Sequence, residues 1–197
     1  MEIGDDERLM MEFVAGSGDA FEELVRKHQK PLLNFFFRLL WDHHKAEDCV
    51  QEVFRRIVGA RFRYRPVSKF TTFMYRIAKN YWIDLCRRRA ASPPPTSLDV
   101  AADEDGSAIV DTVPSDGEDP GEVAARSDLV RKVMDAVQEL SPEKRLILTL
   151  SQYRGLTYRE IADVTGLPVG TVKSRIHAAV RSLRKVLSDE DAEEQEE

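Results

Sequence analysis

The side chains with most chemical promise are cations interleaved with aromatic rings. Arg61, Phe62, Arg63, Tyr64 and Arg65 alternate in one short stretch, and Phe70, Phe73, Tyr75, Tyr81 and Trp82 follow soon after. Such cations can track phosphates while rings stack on unpaired bases, for ~1–3 kcal/mol per base. The competing reading makes Phe70, Phe73 and Tyr81 ordinary core residues of a helix bundle. A second group lies towards the C-terminus: Thr171, Lys173, Ser174, Arg175, His177 and Arg181, spaced to share the outer face of one helix. Hydroxyls, Lys and Arg there can meet base edges or phosphates. Chemistry of other kinds finds little support. No Gly-rich phosphate loop, Ser/His/Asp set or paired carboxylates can be defended, so no catalytic residue is expected. Cys49 and Cys86 lie far apart outside any CxxC, and His43-His44 read as loop residues without metal-ligand spacing. No metal or cofactor is expected.

The elements that must position these groups are helical throughout. Phe21, Leu24, Val25 and His28 recur at i, i+3, i+4, i+7. Pro31 then either starts a new helix or kinks a continuous one. Val50, Val53, Phe54, Ile57 and Val58 form an apolar stripe whose opposite face carries Asp48, Gln51, Glu52 and Arg55. A third helix is expected from about Thr72 to Arg89, with Met74, Ile77, Ala78, Tyr81 and Leu85 inward and Arg76, Lys79, Asn80, Ile83 and Arg87 outward. Farther on, Ser141-Pro142-Glu143 opens a helix through Leu146, Ile147 and Leu150. Thr157-Tyr158-Arg159-Glu160 is a capping box starting a short helix, Gly166 supplies its left-handed end, and the next helix begins near Val169-Gly170-Thr171. Val172, Ile176, Val180, Leu183 and Leu187 should form the buried stripe of that last helix. A short capped helix, a glycine turn and a second helix with cations outward describe a helix-turn-helix.

Charge divides the chain in the same places. The 197 residues carry 29 Lys+Arg and 35 Asp+Glu, a net −6 that as an average argues against nucleic acid. Split along the chain, residues 1–92 carry +4, 93–126 carry −8, 127–187 carry +5 and 188–197 carry −7. Two basic segments are therefore separated and followed by acidic ones. The Pro/Asp/Ser/Gly-rich stretch after Ser92 reads as a linker, and the tail from Ser188 as disordered. The fold expected is all-α. A helical domain at 1–91 and a helix-turn-helix domain at 127–187 flank a flexible acidic linker at 92–126, with a disordered acidic tail at 188–197. No run of ~20 apolar residues would cross a bilayer, and Met1-Glu2-Ile3-Gly4-Asp5-Asp6 is acidic where a signal peptide is basic. A reducing cytoplasm fits best.

Three stretches resemble one known family. Ala46-Glu47-Asp48-Cys49-Val50-Gln51-Glu52-Val53-Phe54 is similar to the A-E-D-x-V-Q-E-x-F segment of extracytoplasmic-function (ECF) sigma factors, compact bacterial transcription initiation factors. Phe73-Met74-Tyr75-Arg76-Ile77-Ala78-Lys79-Asn80, then Ile83-Asp84 and Arg87-Arg88-Arg89, resembles their W-L-Y-R-I-A-x-N…I-D…R-R-R. Leu156-Thr157-Tyr158-Arg159-Glu160-Ile161-Ala162 and Val169-Gly170-Thr171-Val172-Lys173-Ser174-Arg175 resemble L-S-Y-x-E-I-A…V-G-T-V-K-S-R. Phe73 stands where Trp is usual, Cys86 where an aromatic or aliphatic residue is common, and the acidic tail lies outside the pattern.

The resemblance implies a function and its partners. Asp48, Gln51, Glu52 and Arg55 would dock on a coiled coil of the largest subunit of core RNA polymerase. Arg63, Tyr64, Arg65, Lys69, Phe73, Arg76, Lys79 and Asn80 would recognise and melt the minus-10 element as single-stranded DNA. Gly170, Thr171, Lys173, Ser174, Arg175, His177 and Arg181 would read the minus-35 element as duplex. The family usually has an anti-sigma partner, and no catalytic residue is implied. The rival readings are a stand-alone helix-turn-helix regulator, which leaves the docking helix without a use, and a recombinase, which would need a catalytic domain.

Overall fold

The computed structural model describes residues 4–91, 131–152 and 156–193, with side chains to residue 185. Among these residues every regular element is helical. The linker expected at 92–126 lies outside them.

The N-terminal half is a four-helix unit. α1 (Asp5–Val14) stacks on α2 (Gly18–Leu40) through Phe13 and Phe21, whose ring centroids are 4.4 Å apart. Ser17 caps α2 by accepting from the Ala20 N–H. Pro31 sits inside α2 without ending it. An interior proline costs ~3 kcal/mol. Burial of Leu24, Leu32, Phe35, Phe36 and Leu39 along one face outweighs it. Of the two alternatives for Pro31, the helix is continuous. Trp41 closes α2 in the left-handed region (φ 53°), and Asp42 immediately caps α3 (His43–Ala60) by accepting from the Lys45 N–H at 2.9 Å. His43 and His44 are thus first-turn residues of α3 and not a loop, because Asp42 makes a helix start that periodicity alone did not mark. Arg61–Arg63 form a 3₁₀ turn, and α4 runs from Phe70 to Ala91.

The C-terminal half holds α5 (131–139), α6 (Pro142–Gln152), α7 (Tyr158–Thr165) and α8 (Val169–Glu193). The capping box of α7 is formed in both directions, and Gly166 adopts φ 77° at its end. α8 continues to Glu193, beyond residue 187, where the sequence suggested order would stop. An established helix adds residues at little nucleation cost, and Glu and Ala are good helix formers. Within α8 Val172 and Ala179 are buried and Ile176 and Leu183 pack against the cores beside them, as expected but for one position: Ala179 takes the inward place and Val180 is exposed.

The two halves share one core. Leu146, Leu150, Ile161, Val164 and Val172 belong to the same buried cluster as Leu32, Phe35, Phe70, Met74 and Tyr75. Trp41 lies against a second cluster of Val137, Leu140, Leu148 and Ala179. α4 accordingly buries Phe70, Met74, Tyr75, Ala78 and Trp82, more of its circumference than a single stripe covers, with α3 on one flank and α7 on another.

A Cβ at Gly166 would meet nothing within 4 Å, so only backbone conformation opposes substitution. Gly166→Ala should lower stability by about 1–2 kcal/mol in urea unfolding, without altering helix content.

Candidate polymerase and nucleic-acid interfaces

The outer face of α3 is built around one carboxylate. Glu52 accepts two hydrogen bonds from Arg55, at 2.7 and 2.8 Å, and one from Arg56 at 2.7 Å. The hydrogen bonds from Arg55 and then Arg56 pull the Glu52 carboxyl down to about 2. Arg56 also reaches Asp84 at 3.6 Å and lies over the Tyr81 ring at 4.7 Å, tying α3 to α4. Asp48, Gln51 and Arg55 are exposed beside this network, so all four residues expected to dock on polymerase share one charged surface. Beneath it, burial pushes the Cys49 thiol up to about 11; Cys49 and Cys86 are both free.

The group expected to handle unpaired DNA is divided. Arg63, Arg65 and Asn80 are exposed. Tyr64 is not; it is buried with its ring edge-on to Phe73 at 5.1 Å, and burial raises its phenol to about 12. Tyr75 and Trp82 are core residues as well, while Phe62 stands 63% exposed with the Arg61 guanidinium 4.2 Å from its ring centre. Lys69 and Arg76 point at α7. The Lys69 ammonium lies 2.8 Å from Glu160 Oε1, and Arg76 donates to the Asp163 carbonyl at 3.1 Å. Phe73 and Lys79 are half-buried.

Glu160 has two tasks at once. Its Oε2 accepts from the Thr157 N–H at 2.6 Å and the Thr157 hydroxyl at 2.9 Å, completing the capping box, while Oε1 takes Lys69. The cap was legible from Thr157-Tyr158-Arg159-Glu160; its partner in the other half of the chain was not. Two further contacts were missed. Arg145 is half-buried between the halves, donating to the Leu39 carbonyl at 3.1 Å and the Leu140 carbonyl at 3.3 Å, and also to the Gln138 carbonyl. Trp82 Nε1 donates to the Pro142 carbonyl at 3.3 Å. The N-terminus of α4 is closed by Glu7 of α1, which accepts from the Phe70 N–H.

The helix-turn-helix face is open by comparison. Gly170, Lys173, Ser174, His177 and Arg181 are exposed and Thr171 is half-exposed. Lys173 lies over the Tyr158 ring at 5.6 Å, and Arg175 is held by Glu143 of α6 at 2.9 Å. Among the described residues no cluster of His, Cys, Asp and Glu could hold a metal.

Sequence comparisons match both halves. The Sigma-70 region 2 family matches residues 24–92, and the Sigma-70 region 4 family matches residues 131–183. The RNA polymerase sigma-H factor of Pseudomonas aeruginosa is 34% identical over 182 residues, 92% of this chain and 93% of that protein. The ECF RNA polymerase sigma factor SigW of Bacillus subtilis is 31% identical over 175 residues, 88% of this chain and 92% of its own length. The chain belongs to the ECF sigma factors. The solved structure of CnrH in complex with the cytosolic domain of CnrY has the same fold, with a TM-score of 0.68 at 24% identity over 94% of this chain and 99% of that one.

As a sigma factor, the protein binds core RNA polymerase and directs it to promoters. In the present arrangement region 4 covers part of region 2, since α7 engages Lys69 and Arg76. The Lys69–Glu160 pair is solvent-facing on the lysine side and contributes at most ~1 kcal/mol. Ile161 and Val164 lie in the cluster that also holds Phe70 and Met74 of α4, and full burial of such a side chain is worth ~1.5–3 kcal/mol, shared here between α4 and the helices of their own half.

Burial alone would raise Glu160; the hydrogen bond from Lys69 and those from Thr157 outweigh it and hold its pKa below the usual glutamate value. A depressed carboxylate stabilises the packed state above its unfolded pKa and ceases to do so as pH falls through the folded one. Glu160→Gln keeps an oxygen for the Thr157 cap and removes the charge facing Lys69. Small-angle scattering at neutral pH should show a larger radius of gyration for Glu160→Gln, and the wild type should approach it only on acidification below the ordinary glutamate range. Identical scattering curves across that range would mean the ion pair does not help hold the halves together.

Proposed function

We propose that this sigma factor docks on core polymerase through Asp48, Gln51, Glu52 and Arg55 of α3, on a coiled coil of the largest subunit. It melts and captures the minus-10 element with Arg63, Arg65, Lys69, Phe73, Arg76, Lys79 and Asn80, and reads the minus-35 duplex with Gly170, Thr171, Lys173, Ser174, Arg175, His177 and Arg181. Tyr64 acts in this scheme from beneath, as the ring that supports Phe73. The observation that carries the reading is the placement of three chemically different faces on three helices: ion-paired on α3, aromatic and cationic around α4, cationic with hydroxyls on α8. A stand-alone repressor would need only the last.

The packed arrangement is the resting form in this reading, because the Lys69 ammonium and the Arg76 guanidinium, though solvent-exposed, are engaged by Glu160 and the Asp163 carbonyl and must exchange those contacts for DNA. An anti-sigma protein is the expected antagonist; CnrH was solved with the cytosolic domain of CnrY. The polymerase makes the phosphodiester bonds, so this subunit works without catalytic residues or cofactor. It acts in the cytoplasm; among the described residues no helix is long and apolar enough to cross a membrane.

Run-off transcription with core polymerase on randomised promoters tests the whole reading; absence of any selected promoter would overturn it. Asp48→Arg should weaken core polymerase binding about tenfold or more, a cost of ~1.4 kcal/mol, and leave minus-35 duplex binding unchanged in a gel-shift titration. Lys173→Ala should weaken duplex binding across sequences and reduce the slope of log K against log salt by about 1 if the ammonium meets a phosphate. A loss confined to one sequence would instead make Lys173 a base reader.

A further inference from the structure

α1 carries none of the residues assigned above to polymerase or promoter, and it lies outside residues 24–92, the part matched by region 2. It nevertheless holds both ends of the segment from Arg61 to Lys69. At one end the Arg61 guanidinium, which donates to the Val58 carbonyl at 2.9 Å, lies 5.9 Å from the centre of the Phe13 ring. At the other end Glu7 Oε1 accepts from the Phe70 N–H. Glu7 and Phe13 are six residues apart on one helix, about 9 Å along its axis. That helix is firmly seated, with Leu9 and Met10 buried and Phe13 stacked on Phe21 of α2.

α4 depends on the acceptor that α1 supplies. α2, α3 and α7 start on Ser17, Asp42 and Thr157, and each of these side chains accepts an N–H from the first turn of its own helix. α4 starts on Lys69, whose carbonyl takes the Thr72 and Phe73 N–H groups at 3.0 and 3.3 Å but whose side chain can only donate. The first turn of α4 holds no acidic residue. Glu7, 63 residues away, provides both the acceptor and the negative charge favoured at a helix N-terminus. Asp6 beside it reaches the ring of the same residue. Its Oδ2 accepts from Nε2 of buried His28 at 2.7 Å, and the His28 ring lies 5.2 Å from the Phe70 ring. Phe73 follows, 6.4 Å from Phe70 and 5.1 Å from Tyr64.

We infer, resting on the minus-10 roles proposed above, that α1 braces the promoter-melting segment and that Glu7 is a positioning residue for minus-10 capture, setting Lys69 and Phe73 without itself touching DNA. An uncapped first turn frays. Fraying displaces Lys69 and Phe73 at the start of α4 and leaves Asn80, almost three turns farther on, in place.

The test uses holoenzyme assembled from the full-length chain and core polymerase, on a promoter selected by the wild type, with 2-aminopurine in the minus-10 element reporting unpairing. Glu7→Ala should lower opening about fivefold, the scale of a lost N-cap. Glu7→Gln keeps an oxygen for the Phe70 N–H and should recover most of that loss. Phe13→Leu retains an apolar contact with Phe21, removes the ring beside Arg61, and should give a smaller loss of the same kind. Affinity for core polymerase and for minus-35 duplex should stay at the wild-type value in all three. Hydrogen exchange on the full-length Glu7→Ala chain should quicken at the Phe70 amide and stay unchanged beyond Ala78.

Normal opening by both Glu7→Ala and Phe13→Leu would overturn the inference. So would a gain in opening by Glu7→Ala, which would make Glu7 a carboxylate competing with DNA for Lys69. Equal loss of minus-35 binding and of opening would also overturn it, as general unfolding. Asn80→Ala separates failure here from failure of the minus-10 scheme. If Asn80→Ala impairs opening and Glu7→Ala does not, the brace alone is wrong; if neither does, the minus-10 scheme falls and the brace with it.

Discussion

Everything in this structure turns on α4 being shared. One helix has to complete the N-terminal core through Met74, Tyr75 and Ala78, carry Arg76, Lys79 and Asn80, which we propose meet DNA, and accept α7 along its length. A helix with one apolar stripe could not do all three. α4 instead distributes its large side chains around its circumference, so Trp82 reaches the Pro142 carbonyl at the start of α6 while Phe70 packs near His28 of α2, ring centres 5.2 Å apart. The same distribution places Arg76 at the border of an apolar contact. Whatever separates the halves uncovers apolar area on α4 and frees Lys69 and Arg76 together.

The polar contacts across the halves are of a kind that specifies position more than it stabilises. Arg145 gives up water to sit among main-chain carbonyls of α2 and the α5–α6 turn, and burial pulls its pKa down from the ordinary arginine value. A half-buried guanidinium left without those carbonyls would lose the partners that replace water, whereas with them it gains little over hydration. The arrangement therefore tolerates few alternatives in register. Glu160 works similarly: because Oε2 is committed to the Thr157 cap, Oε1 is aimed, and Lys69 can pair with it in one orientation of α7 only.

Features encoded within a few residues were legible in the sequence. The capping box at Thr157–Glu160, the left-handed Gly166 and the apolar period of α3 are local, and each is found where its residues put it. The helix-turn-helix followed from those pieces and a charge count. The relation between the halves was not legible, since every contact that sets it joins distant positions: Lys69 with Glu160, Trp82 with Pro142, Arg145 with Leu39. No spacing rule marks a lysine as paired to a capping glutamate. Tyr64 shows the same limit within the presumed site. Its place among alternating arginines suggested a stacking surface, yet a ring flanked by charges can still turn inward, and here Phe73 receives it.

Exposure then orders the steps of promoter engagement under the proposed roles. The α3 face and most of the α8 face are open in the packed form, Arg175 being paired with Glu143, so polymerase and minus-35 duplex can be met without parting the halves. A ligand shifts a two-state equilibrium only by its differential affinity for the two states. Contacts equally available in both forms contribute affinity and nothing to opening. The drive must come from contacts made only when α7 leaves α4, and those are the minus-10 contacts of Lys69 and Arg76, together with any geometry that holds regions 2 and 4 at separate places on polymerase. Moving a population from about 1:99 to 99:1 takes a ~10⁴-fold preference, about 5.5 kcal/mol. Two cation contacts at ~1.5–3 kcal/mol each total about 3–6 kcal/mol, of the same order as that figure, before the cost of the contacts they replace and of parting α7 from α4 is met. Under those roles polymerase supplies the remainder by engaging regions 2 and 4 at separate places, a contact available only to the opened form.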